Sequence, residues 1–330
     1  MTCTSQTNTT LDKIAHALKD CNSFVICGHV SPDGDCLGSQ LALAAALRQL
    51  GKHVTCVLAK DEPIEANLRF LPGAHALVYA GEFSGEVDAF IGVDVPTRER
   101  IGAALELHDR ARICFTIDHH AHDLTMADYV YVDPDAASTT VLIWQLCELL
   151  GVNRAGDITT CCYTGLVTDT GCFQYQNANE EAFSCALSMV QSGAQPAEIC
   201  REIFQNRSLA SIKLESVAID RMLIQNEGQS ALSWLTLEDF ERCDAVKADA
   251  EPLINTLRSV AGVRVACMLR QQSDCIRGSL RAKDNTDVAS LAKRLNGGGH
   301  KAAAGFTLYC SMDEAIKTMQ ELLFEVVKQA

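Results

Sequence analysis

The stretch FVICGHVSPDGDCLGSQLALAAALRQL, residues 24–50, joins two kinds of structure through a charged turn. FVIC is short and apolar, which is typical of a buried strand, whereas QLALAAALRQL is typical of a helix. His29, Asp33 and Asp35 lie between them. Three potential metal ligands in one strand-to-helix turn suggest a metal site on an α/β fold. One turn does not decide the question, so the rest of the chain has to support it.

The first half of the chain repeats this alternation of strand and helix. Short β-branched runs separated by helical ones predict a mostly parallel sheet with helices on both faces. In such sheets, ligands bind beyond the carboxyl ends of the strands. The further predicted strands are residues 53–58, 76–80, 87–95, 111–120 and 129–133, with helices at 38–50 and around 64–70.

The second half changes character twice. The sequence is helical from residue 138 to about residue 223, and strands return beyond residue 227, including 263–271 and 275–283. We therefore predict an α/β chain in which a mostly parallel sheet flanked by helices is followed by a helical linker and a smaller α+β domain. The predicted boundaries are residues 1–200, 201–227 and 228–330.

Composition limits the classes of function. The chain has 330 residues, of which 48% are hydrophobic, and a formal net charge of −14 at pH 7. Proteins that hold long nucleic acids carry a basic surface, so this acidic chain predicts a small phosphate-bearing partner and no long nucleic-acid track. No apolar run approaches the roughly 18 to 20 residues of a membrane span. MTCTSQTNTT does not resemble a signal peptide, and the 16 cysteines include no C-x-x-C pair, so we expect a cytoplasmic protein with reduced thiols.

Candidate ligands recur in the first domain where predicted strands or helices end. Asp94 follows the apolar run AFIGV. The run ICFTI is followed by Asp118, His119 and His120, and CCYTGLVT is followed by Asp169. A lone aspartate in such a place is usually an N-cap or turn residue, and a lone histidine is usually structural. Because the carboxyl ends of parallel strands share one edge, all these side chains can converge, and together they favour a metal site.

The ligand types favour more than one ion. Carboxylates and imidazoles suit Mn²⁺, Mg²⁺ or Fe²⁺ better than they suit a thiolate-preferring zinc site. Even six of these eight candidates would exceed the needs of one catalytic ion with an open position, so we expect two divalent ions about 3.5 to 4 Å apart. Such a pair activates water for attack on a phosphoryl group without a serine or cysteine nucleophile.

The motifs, taken in order, resemble a known family. GHVSPDGDCLGS, GVDVPTRERIG, IDHH and TGLVTDTGCF look like the successive signature motifs of the DHH phosphoesterase superfamily. RGSLRAKDNTDVASLAKRLNGGGHKAAAGF is similar to its DHH-associated C-terminal domain. Their order looks most like the nanoRNase/pAp phosphatase branch of bifunctional oligoribonucleases. The resemblance makes residues 1–200 the DHH catalytic domain and residues 228–330 the substrate-binding domain.

The resemblance also implies roles for the predicted ligands. One metal would be held by His29, Asp33 and Asp94, and the other by Asp35, Asp94, His119 and Asp169. Asp94 would bridge the two ions, for which Mn²⁺ is the first choice and Mg²⁺ or Fe²⁺ the alternatives. Asp118 would orient its neighbours, and His120 would hydrogen-bond an oxygen of the scissile phosphate, which makes these two the predicted catalytic residues.

The second domain is expected to bind the terminal phosphate of the substrate. NGGGHKAAAG resembles a phosphate-binding turn, to which a following helix would add its positive end. Arg281 offers a bidentate fork to a phosphate, whereas Arg258 is equally consistent with an exposed helix arginine. The predicted substrate-binding residues are Arg258, Ser279, Arg281, Gly297, Gly298, Gly299 and His300. For a stacked base, the candidates are Phe70, Tyr175 and Phe306, and departures from the family pattern occur at Asp123, Ala282 and Asn296.

The predicted function is metal-dependent hydrolysis of short oligoribonucleotides, of the 3′-phosphate of 3′-phosphoadenosine 5′-phosphate (pAp), or of both. The cleft between the domains would limit substrate length. The main alternative is a soluble phosphodiesterase acting on cyclic di-AMP or its linear product pApA. A nucleotide-binding regulator without activity is less favoured, because all six ligands are present. The expected partners are short oligoribonucleotides or small phosphorylated nucleotides, and no membrane is expected. A homodimer is one option, and the sequence leaves the oligomeric state open.

Overall fold

The computed structural model describes residues 7–121 and 126–329, with all their side chains except those of His300 and Gln329. These residues divide into two compact units, with the boundary between Asn206 and Arg207. Each unit has its own six-stranded sheet and its own hydrophobic cores. In the described ranges, no helix combines the length and the apolar character needed to cross a membrane.

The first unit alternates strands and helices. Its strands are β1 Ser23–Cys27, β2 His53–Leu58, β3 Val78–Tyr79, β4 Ala89–Val93, β5 Ile113–Asp118 and β6 Tyr129–Val132. Its α-helices are α1 Leu11–Lys19, α2 Gly34–Gln49, α3 Leu105–Arg110, α4 Thr139–Leu150, α5 Asp157–Asp169, α6 Glu180–Gln191 and α7 Pro196–Phe204. Short 3-10 helices lie at Ala66–Leu68, Ala74–Ala76, Ala80–Glu82 and Arg98–Ala104.

The sheet of the first unit is entirely parallel, which confirms the predicted α/β fold class. Its strand order is β3-β2-β1-β4-β5-β6. The order reverses between β1 and β4, because the chain leaves β1 toward one edge and returns at β4 toward the other. Such a switch point opens a crevice at the carboxyl ends of the two strands. His29 and Asp94 follow these strands, so the topology brings them to the same place.

Burial explains why the strands are so apolar. Every residue of β4 is buried, as expected for a parallel strand covered on both faces. On one face, α2 and α5 pack closely enough that a Cβ on Gly38 would come within 2.5 Å of the Cys161 carbonyl oxygen. The first turn of α2 carries Asp35 and α5 ends at Asp169, so this close contact also fixes the separation of two candidate ligands.

The second unit is a mixed sheet with helices on both faces. Its strands are β7 Leu223–Gln225, β8 Ser230–Leu235, β9 Val265–Gln271, β10 Ile276–Ala282, β11 Gly298–His300 and β12 Ala303–Leu308. Its α-helices are α8 Leu209–Asp220, α9 Leu237–Cys243, α10 Leu253–Ser259, α11 Val288–Arg294 and α12 Met312–Gln329, with a 3-10 helix at Lys247–Ala250. The strand order is β11-β12-β10-β9-β8-β7, parallel only between β8 and β9.

The segment 201–227, predicted as a linker, contains elements of both units. It includes the end of α7, which belongs to the first unit, and all of α8. Leu214 and Ala218 of α8 are fully buried in a core cluster of the second unit. The helix therefore packs as part of that unit.

The helix predicted to follow the glycine run is not the next element of the chain. The run enters β11, and the chain returns antiparallel as β12. A Cβ on Gly297 would overlap the Gly305 carbonyl oxygen, and one on Gly299, where φ is +141°, would overlap the backbone of β12. The small residues therefore serve the close approach of two strands, and they do not begin a helix.

Candidate functional site

Asp94 lies at the centre of a cluster of acidic and imidazole side chains. It follows β4 directly, in a left-handed conformation with φ 53°, and its N–H donates to the Ile117 carbonyl oxygen at 3.1 Å. Its two carboxylate oxygens face different histidines. Oδ2 lies 3.5 Å from Nε2 of His29, and Oδ1 lies 3.6 Å from Nε2 of His119. A carboxylate shared in this way has the arrangement needed to bridge two cations.

The start of α2 fixes the two aspartates of the opening motif. The helix begins at Gly34, four residues earlier than predicted, so Asp33 is its N-cap. Oδ1 of Asp33 accepts hydrogen bonds from the backbone N–H groups of Asp35 and Cys36 at 3.1 and 3.0 Å. Its other oxygen lies 4.0 Å from Nε2 of His29. The capping bonds therefore leave one oxygen of Asp33 facing the cluster.

Asp35 is buried and is held by the first turn of α4. Its Oδ2 accepts a hydrogen bond from the Thr139 N–H at 2.7 Å, and its Oδ1 accepts one from the Thr140 N–H at 2.8 Å. The first N–H groups of a helix have no partner within the helix, so they suit a carboxylate. Neither threonine was predicted. Ser138, the N-cap of α4, was the available signal in the sequence.

The two histidines after β5 are oriented by different acceptors. Nδ1 of His119 lies 3.3 Å from the Ala136 carbonyl oxygen, which can only accept, so Nδ1 is the donor and Nε2 faces the cluster. Both the backbone N–H and Nδ1 of His120 lie close to Oδ1 of Asp118, at 3.0 and 2.7 Å. Asp118 is fully buried at the end of β5.

Asp169 completes the cluster from the last residue of α5. Its Oδ2 lies 3.5 Å from Nε2 of His119, and Oδ2 of Asp35 lies 3.8 Å from the same nitrogen. The chain therefore directs three carboxylates, including that of Asp94, toward Nε2 of a single imidazole. Buried groups of this kind repel one another unless positive charge lies between them.

The pKa shifts follow from this crowding. Burial and then the charge of Asp94 raise the pKa of Asp35 to about 7. Burial and then the charge of Asp35 raise the pKa of Asp169 well above its usual range. Burial alone would also raise the pKa of Asp94, but the neighbouring His29 and His120 outweigh burial and lower it. The cluster holds more buried negative charge than its own residues compensate, and this donor set of carboxylate oxygens and imidazole nitrogens fits divalent cations.

The ligand atoms fall into three overlapping groups. In each group, the atoms lie within 4.8 Å of one another. The groups are His29, Cys36 and Asp94; Asp94, His119 and His120; and Asp35, His119 and Asp169. Cys36 was not among the predicted ligands; it lies directly after Asp35 in the first turn of α2 and is fully buried.

Four predicted substrate-binding residues lie side by side in the sheet of the second unit. In the strand register, Gly298, Gly305 and Ser279 form one row, and His300, Ala303 and Arg281 form the next. Of the three glycines in the run, Gly298 is the one at which an added Cβ would meet no atom within 4 Å. The side chain of His300 lies outside the described part of the structure.

The remaining residues named from the sequence lie outside these two rows of the sheet. Arg258 lies on α10, which packs against β9 and β10. Phe306 is buried in the core with 1% exposure, which excludes it as a surface for stacking a base. Asp123 lies outside the described residues.

Comparison with known proteins decides the family. The profile of the DHH family, N-terminal domain, matches residues 23–166, and that of the DHHA1 domain matches residues 241–329. The chain belongs to the DHH superfamily. The predicted superfamily and branch are confirmed by curated relatives named bifunctional oligoribonuclease and PAP phosphatase NrnA. The relative from Thermus thermophilus is 29% identical over 92% of this chain and 90% of its own, and the one from Bacillus subtilis is 27% identical over 91% and 94%.

Solved DHH structures agree with the fold. An exopolyphosphatase-related protein from Bacteroides fragilis superimposes with a TM-score of 0.89 at 27% identity, covering 96% of this chain and 95% of its own. RecJ from Thermus thermophilus, solved in complex with Mn²⁺, has a TM-score of 0.55 at 15% identity, covering 97% of this chain and 55% of its own. The RecJ likeness concerns the fold alone.

Proposed function

We propose that this DHH protein is a metal-dependent phosphoesterase that hydrolyses short oligoribonucleotides and removes the 3′-phosphate of pAp. The observation that carries the proposal is the position of Asp94, whose two oxygens face His29 and His119 at the switch point of the sheet. Support for the substrate class comes from relatives named oligoribonuclease and PAP phosphatase that match nine-tenths of both lengths.

The proposed ligand sets are those implied by the sequence. His29, Asp33 and Asp94 would hold one cation, and Asp35, Asp94, His119 and Asp169 would hold the other. Bound divalent cations, with Mn²⁺ as the first candidate, would supply the Lewis-acid charge that favours attack of water on a phosphate.

His120 is proposed to act on the substrate. Burial alone would lower its pKa, but the hydrogen bond with Asp118 outweighs burial and raises the pKa to about 9. Nδ1 of the protonated ring is held by Asp118. In that state, Nε2 is a donor suited to a phosphate oxygen on which negative charge increases during the reaction.

The second unit is proposed to bind the terminal phosphate through Ser279, Arg281, Gly298 and His300, with Gly297, Gly299 and Arg258 as further candidates. Such a site suits a short substrate, because the net charge of −14 disfavours binding of a long polyanion. A cytoplasmic location and a homodimer stay predictions from the sequence.

A substrate panel tests the proposal directly. The purified chain with Mn²⁺ would be given a ribodinucleotide of uridine, pAp and cyclic di-AMP in parallel. We expect mononucleotides from the dinucleotide and inorganic phosphate from pAp. Turnover of cyclic di-AMP with neither other substrate used would support the alternative phosphodiesterase and overturn the proposed substrates. Absence of any Mn²⁺-dependent turnover would overturn the whole proposal.

Two variants at opposite ends of one strand serve as probe and control. Asp94 follows β4, and Asp88 precedes it and pairs with Arg112 at 2.6 Å. We expect Asp94→Asn to lose Mn²⁺-dependent turnover, whereas Asp88→Asn retains it. Both variants change a carboxylate to an amide next to an end of the same strand, so a difference between them reports on the cluster.

A further inference from the structure

Arg270, on β9 of the second unit, is a buried arginine held on two sides. Its exposed fraction is 8%. Nη1 lies 2.6 Å from Oε2 of Glu251, and Nη2 donates a hydrogen bond to Oγ of Ser279 at 2.6 Å. Burying a guanidinium group requires a compensating charge, which Glu251 supplies. The bond to Ser279 is an additional contact, and it reaches a residue of the proposed phosphate site.

The bond from Arg270 determines what the Ser279 hydroxyl can do. A serine hydroxyl has one proton to donate and two lone pairs that accept. Arg270 occupies a lone pair, and a guanidinium group cannot accept a proton in return. In the part of the chain that the structure describes, no group accepts the Ser279 proton. The hydroxyl is thus left as a donor, and a charged donor on its oxygen strengthens it in that role.

Space beside Ser279 allows an outside acceptor to approach. Its neighbours in the same register row are Gly305 and Gly298. A Cβ on Gly298 would meet no atom within 4 Å, and one on Gly305 would meet only the Gly278 carbonyl oxygen, at 3.5 Å. Two glycines beside a half-buried hydroxyl leave room for a ligand close to the backbone.

We propose that Arg270, neutralised by Glu251, is a positioning residue that directs the Ser279 hydroxyl as a donor to a phosphate oxygen of the bound nucleotide. This inference rests on the proposed function, and it goes beyond it by naming Arg270 and Glu251. Arg270 does not touch the substrate in this account. It acts only through Ser279.

If Arg270 had a purely structural role, the expected effects of its substitution would differ. Glu251 immediately precedes Pro252, the N-cap of α10. The ion pair between Glu251 and Arg270 therefore also ties α10 to the sheet. If this were its whole purpose, loss of Arg270 would lower stability, and any effect on ligand affinity would be independent of Ser279. If Arg270 acts through Ser279, the effects of changing the two residues on affinity are not additive.

The experiment is a double-mutant cycle on the full chain. The probe is AMP in the presence of Mn²⁺, because AMP is a product of pAp hydrolysis and carries one phosphate. Its dissociation constant would be measured by calorimetry for Ser279→Ala, Arg270→Met and the double variant. We expect each single variant to weaken AMP binding about tenfold, the scale of one hydrogen bond to a charged group, and the double variant to be no weaker than Ser279→Ala.

Two further variants separate positioning from folding. Arg270→Lys keeps the charge beside Glu251 and is expected to unfold at nearly the wild-type temperature while weakening AMP binding several-fold. Arg277→Met is the matched control, because Arg277 pairs with Arg270 in the register and donates to the Thr307 hydroxyl at 2.8 Å. We expect this control to bind AMP within twofold of wild type. With pAp as substrate, Arg270→Met should raise KM and leave kcat nearly unchanged.

Three outcomes would overturn the inference. The first is unchanged AMP affinity in both Arg270 variants. The second is a double variant that binds AMP more weakly than the wild-type chain by the product of the two separate effects. If the wild-type chain hydrolyses pAp, either of these results overturns only the role of Arg270 and leaves the proposed function in place. The third is a wild-type chain that neither binds AMP nor turns over the substrate panel, which would overturn the proposed function and this inference with it.

Discussion

The hydroxyl of Thr139 donates a hydrogen bond to Oδ1 of Asp94 across 3.0 Å. The backbone N–H of the same threonine donates to Oδ2 of Asp35. One residue at the start of α4 therefore holds two of the proposed metal ligands, which come from two different segments of the chain. The geometry of the centre depends on this helix as much as on the motifs that supply the ligands.

Loss of the Thr139 hydroxyl should weaken metal binding. Thr139→Val keeps the shape and the backbone bond to Asp35 but leaves Oδ1 of Asp94 without this donor. Residues that orient metal ligands typically change affinity by about 10- to 100-fold, so we expect a loss in that range. A Mn²⁺ titration monitored by electron paramagnetic resonance measures it. Thr139→Ser is the control and should restore most of the affinity. Equal affinities for all three proteins would contradict the assigned role.

His120 should affect turnover without affecting metal content. Because its Nδ1 is bonded to Asp118, its proposed role is donation to the substrate. His120→Gln should lower kcat about 10²- to 10⁴-fold, the usual contribution of a positioned acid or base. Mn²⁺ stoichiometry, measured by elemental analysis after dialysis, should equal that of the wild-type chain. A variant that lost one ion would identify His120 as a ligand instead.

Arg281 should distinguish substrates by their terminal phosphate. We expect Arg281→Ala to raise KM about tenfold or more for a dinucleotide with a 5′-phosphate, because a charge-assisted bond is lost. The same dinucleotide with a 5′-hydroxyl should show little change. Steady-state kinetics on this pair provide the measurement. Equal increases in KM for both substrates would remove Arg281 from the phosphate site.

The stability of the second unit should depend on pH through Asp239. Burial alone would raise the pKa of this carboxyl, but hydrogen bonds from Arg221 and Thr236 outweigh burial and lower it. A depressed folded pKa adds stability above the unfolded value near 4, and this is lost as the pH falls through the folded pKa. Asp239→Asn should therefore cost about 2 kcal/mol of unfolding free energy at pH 7 and progressively less in acid.

Urea unfolding followed by circular dichroism at a series of pH values tests this. Asp244→Asn, at the exposed C-cap of the same helix, is the matched control and should change stability little at any pH. A deficit in Asp239→Asn that persisted unchanged into strong acid would contradict the account.

The sequence predicts those parts of the site that depend on local pattern. The strand, turn and helix around His29 follow from hydrophobic patterning, and Asp94 and Asp118 are found because each lies where a buried apolar strand ends. The two threonines that hold Asp35 were not predictable in this way. They lie more than a hundred residues away, and their role depends on how α4 packs beside α2.

In the second unit, two features that depend on contacts between distant residues were not predicted from the sequence. A helix was expected to follow the glycine run, whereas the run enters β11. The deciding contacts are long-range ones, between Gly297 and Gly305 across the β11–β12 hairpin. Arg270 was missed for a similar reason, since an arginine near the end of a strand gives no sign that it will be buried against Glu251.

Anomalous diffraction at the manganese absorption edge, from crystals of the chain grown with Mn²⁺, tests the central claim most directly. We predict two peaks about 3.5 to 4 Å apart, with one oxygen of Asp94 bound to each ion and His29 and His119 on opposite sides. A single peak, or two peaks of which only one contacts Asp94, would contradict the account.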